Sequence, residues 1–225
     1  MIRIQITKEQ IEYATQLVNQ CNFGNRGRFD GDKSKQLVGM LAQTVLADYI
    51  RQPRPLPSVG FDGGYDYIIN GKKVDVKCMA RKCYMTGTYV HNLIAYQKDY
   101  DVDYYIFTSL NTRTNELEVC GVIEKDVFFD TARLYYQGAT RYKGNTAFKL
   151  EAPTYELQQY RLHILGNVED DVDIYTRIRY GGNTTSTVYL AGDMLKKGSI
   201  LLREQEAKEL RELGHTIYSP IEDKS

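Results

Sequence analysis

Residues 65–79, YDYIINGKKVDVKCM, decide how this chain is read. Two runs rich in Tyr, Ile and Val flank an Asn-Gly pair, and Asn-Gly between alternating apolar residues is the strongest short-range signal for a β-hairpin with a type I′ turn. If Asn70 and Gly71 are the two turn residues, the register follows. Ile69 faces Lys72, Ile68 faces Lys73, Tyr67 faces Val74, and Asp66 faces Asp75. Side chains alternate along a strand, so Lys77 shares a face with Asp75. Val74, Val76 and Cys78 join Tyr65, Tyr67 and Ile69 on the other face.

The hairpin therefore predicts an apolar face and a face carrying two aspartates and a lysine. Facing carboxylates with Cβ atoms about 5 Å apart repel each other, and a cation between them is the usual remedy. Without such a cation, replacing Asp75 by Asn is expected to relieve the pair and leave the fold unharmed. Oxygen-only ligands on a rigid hairpin suit Mg²⁺ or Mn²⁺ better than zinc. An exposed hairpin whose aspartates point to solvent is the alternative on spacing alone.

Ahead of the hairpin, Thr7 and Gln10 have the spacing of a capping box, and Ile11, Ala14, Leu17 and Val18 form one apolar face of a first helix ending near Cys21. The Gly- and Arg-rich stretch NFGNRGRFDGDKS, residues 22–34, reads as a loop. A second helix is expected from about Ser34 to Ile50, with Leu37, Leu41, Val45 and Tyr49 turned inward, before Pro53, Pro55 and Pro57 stop it. Beyond the hairpin, strands are expected at Asp103 to Leu110 and Glu116 to Ile123. A helix is expected over residues 124–136, and further strands at Phe148 to Leu150 and Arg161 to Leu165. Helices, a central meander and a last strand together predict an α/β fold with a mixed sheet flanked by helices.

At Asp66 and Asp75-Val76-Lys77 the chain resembles the D-x(n)-(D/E)-x-K signature of the PD-(D/E)XK nuclease superfamily, and the resemblance covers roughly residues 1–166. It implies a restriction-endonuclease-like mixed central sheet and Mg²⁺- or Mn²⁺-dependent hydrolysis of DNA phosphodiester bonds. Asp66, Asp75 and the Val76 carbonyl would hold the metal, and Lys77 would orient the attacking water and stabilise charge on the phosphate. Two departures stand out: Tyr65 replaces the signature proline, and Gln43 occupies the place where the preceding helix often supplies a Glu. Gln43 either coordinates through its amide oxygen or hydrogen-bonds at the edge of the core. Gln97 is a lesser candidate beside the site, with a surface helix position as the simpler reading.

Composition gives this reading little electrostatic help, since 29 Lys and Arg balance 29 Asp and Glu. Local clusters must supply any DNA contact. Lys73, Arg81 and Lys82 are candidates for flanking phosphates, as are Arg26 and Arg28, although a solvated face explains either cluster as simply. No apolar run is long enough to span a bilayer and no secretory signal opens the chain, so a soluble cytoplasmic protein is expected, with no membrane partner. The 4 cysteines read as reduced thiols. Cys78 and Cys83 could begin a zinc or iron-sulfur site, but no second pair or nearby histidine completes one. Most of the 19 tyrosines lie in strand-like runs, where packing accounts for them.

Residues 167–186 turn acidic and then Gly-Asn-Thr-rich, and read as a linker. Residues 187–225 are one expected βαβ unit: a TVYLAG strand, a helix from Ile200 to Leu213, and a strand starting in Gly214 to Ser219. They resemble the opening of the nucleoside 2-deoxyribosyltransferase family, with Asp193 where a proline is usual. That family's nucleophilic glutamate would lie beyond Ser225, so no glycosyl transfer is expected from the chain as it stands. So short a segment is expected to dock on the first domain or on a second copy, and a homodimer is compatible with this. Two further readings follow: a fragment of a nucleoside 2-deoxyribosyltransferase fusion acting in nucleotide metabolism, or a nucleic-acid-binding module whose catalytic site has decayed.

Overall fold

The structure, a computed structural model, describes residues 1–21, 32–57, 64–165, 187–189, 208 and 216–218. Two compact units separate within the expected linker, Met1–Tyr175 and Thr176–Ser225. In the second, strands Thr187–Tyr189 and Thr216–Tyr218 pair in parallel, as a βαβ unit requires, and Lys208 is helical. The rest of the expected helix, Asp193, Arg26 and Arg28 lie outside the described residues.

The first unit opens with strand β1, Ile2–Gln5, and helix α1, Lys8–Gln20. The capping box forms as the sequence predicts: Gln10 N–H donates to Thr7 Oγ1 at 3.2 Å, and Thr7 N–H donates to Gln10 Oε1 at 2.9 Å. Helix α2, Lys33–Ile50, is buried over more than the stripe expected for it, because Met40, Ala42, Thr44, Leu46 and Ala47 are enclosed as well as Leu41 and Val45. It packs on both α1 and the sheet, and an element with neighbours on two sides needs apolar or small residues around most of its circumference. It ends at Arg51, whose φ of 56° lies in the left-handed region common at helix ends.

The hairpin follows as β2, Tyr67–Ile69, and β3, Lys72–Arg81. Asn70 and Gly71 take φ values of 50° and 75°, the two positive values a type I′ turn demands. The register Tyr67↔Val74, Ile68↔Lys73, Ile69↔Lys72 is the one read from the sequence. After β4, Val90–Ile94, and a 3₁₀ turn, Ala95–Asp99, strand β5, Tyr104–Asn111, lies parallel to β3. β6, Glu116–Glu124, returns antiparallel to β5 and takes β1 on its far side, giving the five-stranded mixed order β1-β6-β5-β3-β2.

The remaining elements depart more from expectation. The helix expected over residues 124–136 is α3, Lys125–Thr131, followed by a short strand β7, Arg133–Tyr135. Strands β8, Thr140–Lys143, and β9, Thr146–Lys149, form an exposed hairpin that takes in Phe148. β10, Thr154–Gln158, pairs with β4 and β7 in a second, three-stranded sheet. Arg161 to Leu165, expected as a strand, belongs to helix α4, Gln159–Leu165. A short apolar run carries no period that separates strand from helix. Contacts settle the matter: β6 bulges between Phe107 and Thr108 of its partner, Gln159 Nε2 donates to the Cys120 carbonyl at 2.9 Å, and Leu162 closes on Gly121. A Cβ at Gly121 would come within 3.2 Å of Leu162 Cβ, and its φ of +155° is equally unsuited to a side chain.

Two cores result, one on each face of the large sheet. Val74, Val76, Tyr104 and Ile106 are buried on the α2 side. Tyr105, Phe107, Cys120, Ile123, Phe128, Leu93, Leu157 and Leu162 form the other core. Among the described residues no helix is long and apolar enough to cross a membrane.

The proline segment after α2 is fastened back to the helices by Arg54. Its guanidinium donates to Asp48 at 2.6 and 2.7 Å and to Glu9 at 2.6 and 2.8 Å, while Gln10 Nε2 donates to Asp48 at 2.7 Å. Burial pushes the Asp48 carboxyl up, but the Arg54 and Gln10 hydrogen bonds outweigh it and hold the group below the usual range. A depressed carboxyl stabilises the fold above its unfolded pKa of about 3.9 and ceases to do so as pH falls through its folded value. Arg54→Ala should therefore cost roughly 1 kcal/mol at pH 7 through the Asp48 pair, and clearly less at pH 3. Urea denaturation of both proteins at the two pH values measures this, and an equal loss at both would remove Asp48 as the cause.

Candidate metal centre

The site begins where β2 stops. Continuing the ladder past Tyr67↔Val74 would set Asp66 opposite Asp75, but the pairing ends there. Asp66 N–H donates instead to the Val74 carbonyl at 2.8 Å, one residue short of register. With β2 ended, the N–H of Val76 opens onto an unpaired strand edge, and a buried N–H must find an acceptor. The Asp66 carboxylate supplies it, with Oδ2 accepting from Val76 N at 2.6 Å. The two aspartates are thus not a cross-strand pair, which corrects the expectation drawn from strict alternation. Tyr65 shifts with them and packs against the second core rather than beside Tyr67.

Helix α2 supplies the other partner of Asp66. Gln43 Nε2 donates to Asp66 Oδ1 at 2.7 Å, and the Gln43 carbonyl accepts from the Tyr67 hydroxyl at 2.6 Å. Burial, then the negative charges of Asp66 and Asp48, pushes the Tyr67 phenol well up, so it stays a donor. Gln43 thus turns its amide nitrogen to Asp66 and ties helix and hairpin at this point.

Asp75 and Lys77 project from β3 on the face opposite α2, beside Tyr105 and Phe107 in the β5 register. Asp75 is buried, its side chain 6% exposed, and Oδ2 lies 2.6 Å from Lys77 Nζ. Tyr105 is the residue that sequence reasoning missed, since nothing in an apolar run marks one tyrosine. Its hydroxyl donates to the Gln97 carbonyl at 3.3 Å, and burial followed by the Asp75 charge pushes its phenol well up. Gln97 itself is buried in the 3₁₀ turn, not on a surface helix.

The basic candidates scatter. Lys73 pairs with Asp101, takes Asp103 on its backbone N–H at 2.7 Å, and lies 5.5 Å from the Tyr65 ring. Arg81, about 20 Å along the strand from Asp75, donates to the Val90 carbonyl at 2.8 Å and lies against Tyr89. Lys82 beside it is exposed. Cys83 is exposed, and burial pushes the Cys78 thiol up to about 11.

A divalent ion would find hard oxygen donors here. The N–H and C=O of one strand residue point to the same side, so the Val76 carbonyl opens on the same edge as the Asp66 carboxylate. A carboxylate oxygen carries two lone pairs, so one that accepts a hydrogen bond is still a chemically suitable donor to a hard cation. Among the described residues no group of three or more His, Cys, Asp or Glu comes together. A groove of about 500 Å³ opens beside Gln43 and Asp66, walled by Met40, Tyr65, Ile68 and the exposed Leu56.

Comparison with family models, curated proteins and solved structures finds no match to this chain.

With Lys77 as the near counter-charge of Asp75, the facing-carboxylate argument for a harmless Asp75→Asn gives way to a different expectation. Lys77→Met should leave a buried carboxylate without its cation and destabilise by roughly 1–3 kcal/mol in EDTA. Asp75→Asn with Lys77→Met should recover most of that loss. Urea denaturation of the two single variants and the double variant forms the cycle, and strictly additive losses would show that the pair does not form in solution.

Proposed function

We propose that the first unit is a magnesium-dependent nuclease with a restriction-endonuclease-like fold, acting on DNA phosphodiester bonds. One observation carries the reading: Asp66, separated in sequence from both Gln43 and Val76, is hydrogen-bonded to each of them at the strand edge next to Asp75 and Lys77. A decorative surface aspartate has no need of helix, turn and strand together. The mixed sheet, with β3 parallel to β5 and a helix ahead of the hairpin, supports the same reading.

Asp66, Asp75 and the Val76 carbonyl would hold the ion, with Gln43 contributing either its amide oxygen or a hydrogen bond that aims Asp66. A bound divalent ion there lowers the pKa of water and offsets charge on the scissile phosphate. Lys77, 22% exposed and anchored by Asp75, keeps its ammonium on the strand face where it can orient water and meet developing phosphate charge. The groove beside Asp66 gives a neighbouring nucleotide an apolar wall. The second unit is read as the opening of a nucleoside 2-deoxyribosyltransferase-like domain, which favours a setting in nucleotide metabolism and the cytoplasm.

A decayed, binding-only module is the second reading, favoured by the protein hydrogen bond that each Asp66 oxygen accepts. Linear and circular DNA, single- and double-stranded, incubated with Mg²⁺, Mn²⁺ or EDTA, separate the two. Cleavage in metal that Asp75→Ala and Lys77→Ala each reduce at least about a hundredfold is the expected result. Gln43→Ala should cost about tenfold, since a neutral ligand contributes less than a carboxylate. Binding without cleavage would favour the decayed module, and cleavage retained in both Asp75→Ala and Lys77→Ala would end the assignment.

A further inference from the structure

Away from the hairpin, a cleft of about 240 Å³ opens at the three-stranded sheet. Its walls bring together arginines from different elements: Arg133 of β7, Arg141 of β8 and Arg161 of α4. The carboxylate in the cleft is Glu156 of β10, whose side chain is 6% exposed and opposite Arg133 in register. Both its oxygens are taken by Arg141, with Nε to Oε1 at 2.9 Å and Nη2 to Oε2. Arg141 is further fixed against the Tyr135 ring, 4.1 Å from its centroid, and Arg133 lies 5.0 Å from the same ring. Arg161 Nη1 donates to the Thr131 carbonyl at 3.3 Å. Among the described residues neither Arg133 nor Arg161 forms an ion pair.

Among the described residues, three arginines line this cavity against one carboxylate, a surplus of two positive charges. Bringing like charges together costs energy unless an anion answers them. A carboxylate matches the fork of one arginine, whereas phosphate offers several oxygens in different directions and up to two charges. From this geometry we infer that the cleft is a phosphate-binding site, in which Arg133 and Arg161 contact the ligand and Arg141, held by Glu156 and Tyr135, completes the cradle. The phosphate is supplied either by a free anion such as inorganic phosphate or a mononucleotide, or by the backbone of a DNA strand. This inference does not depend on the nuclease reading, because none of these residues belongs to the metal centre.

Calorimetric titration of the full chain in EDTA, where no metal-dependent binding or cleavage intrudes, tests it with inorganic phosphate, a mononucleotide, a short single-stranded oligodeoxynucleotide and acetate. Arg133→Gln and Arg161→Gln remove exposed charges and leave the Glu156–Arg141 pair intact. Each should weaken phosphate binding about tenfold, and the double variant should lose it, with circular dichroism and melting temperature unchanged. Asp75→Asn should bind phosphate as the wild type does. An oligonucleotide that binds much more tightly than the mononucleotide, and is lost with the same variants, assigns the site to a DNA backbone; equal affinities assign it to small phosphates. No phosphate binding at millimolar concentration, equal binding by the folded double variant, or acetate binding as tightly as phosphate would each overturn the inference.

Discussion

Strand β3 is paired unequally on its two sides. Against β5 it is hydrogen-bonded from Val74 to Arg81, yet against β2 the ladder covers only Lys72 to Val74. Among the described residues no strand pairs with the N–H of Val76 on that side, and Val76 is buried. A backbone donor in that position needs an acceptor, and a carboxylate is the strongest neutral-pH acceptor a side chain offers. Asp66 fills the role and thereby fixes where Tyr65 goes, how Gln43 of α2 is engaged, and which strand edge carries oxygen donors.

The same inequality separates the roles of the two faces. Towards α2, Val74 and Val76 are buried with Tyr104 and Ile106, giving the sheet its firm apolar backing. On the other face Asp75 is buried beside Tyr105, where an ion would be costly without Lys77 alongside. Apolar support thus lies beneath the strand and a paired charge above it. Gln43 joins the two, because its carbonyl is bonded to Tyr67 in the backing and its amide to Asp66 at the edge.

Charge is distributed in patches rather than as a field. Lys73 is answered by Asp101 and Asp103, and Arg81 is folded back on the Val90 carbonyl, so the hairpin surroundings are close to balanced. Among the described residues, Arg133, Arg141 and Arg161 gather at the cleft of the three-stranded sheet.

Local rules made part of this molecule legible from sequence. The Thr7–Gln10 capping box, the Asn70–Gly71 turn, the register of β2 on β3, the second helix, and the β5–β6 pair all follow from residues adjacent in the chain, and so does the presence of Asp75 and Lys77 on one face. These features are governed by period, capping and turn chemistry, which act within a few residues. Tertiary structure decided the rest. Whether RLHIL became helix or strand depended on a bulge at Cys120 and a glycine at position 121, far away in the chain. Where β2 stopped, and hence whether Asp66 met Asp75 or the Val76 amide, depended on the satisfaction of a backbone donor that no alternation of side chains reveals. The convergence of Arg133, Arg141 and Arg161 carried no sequence signal either, because long-range packing alone brings those three side chains to one cavity.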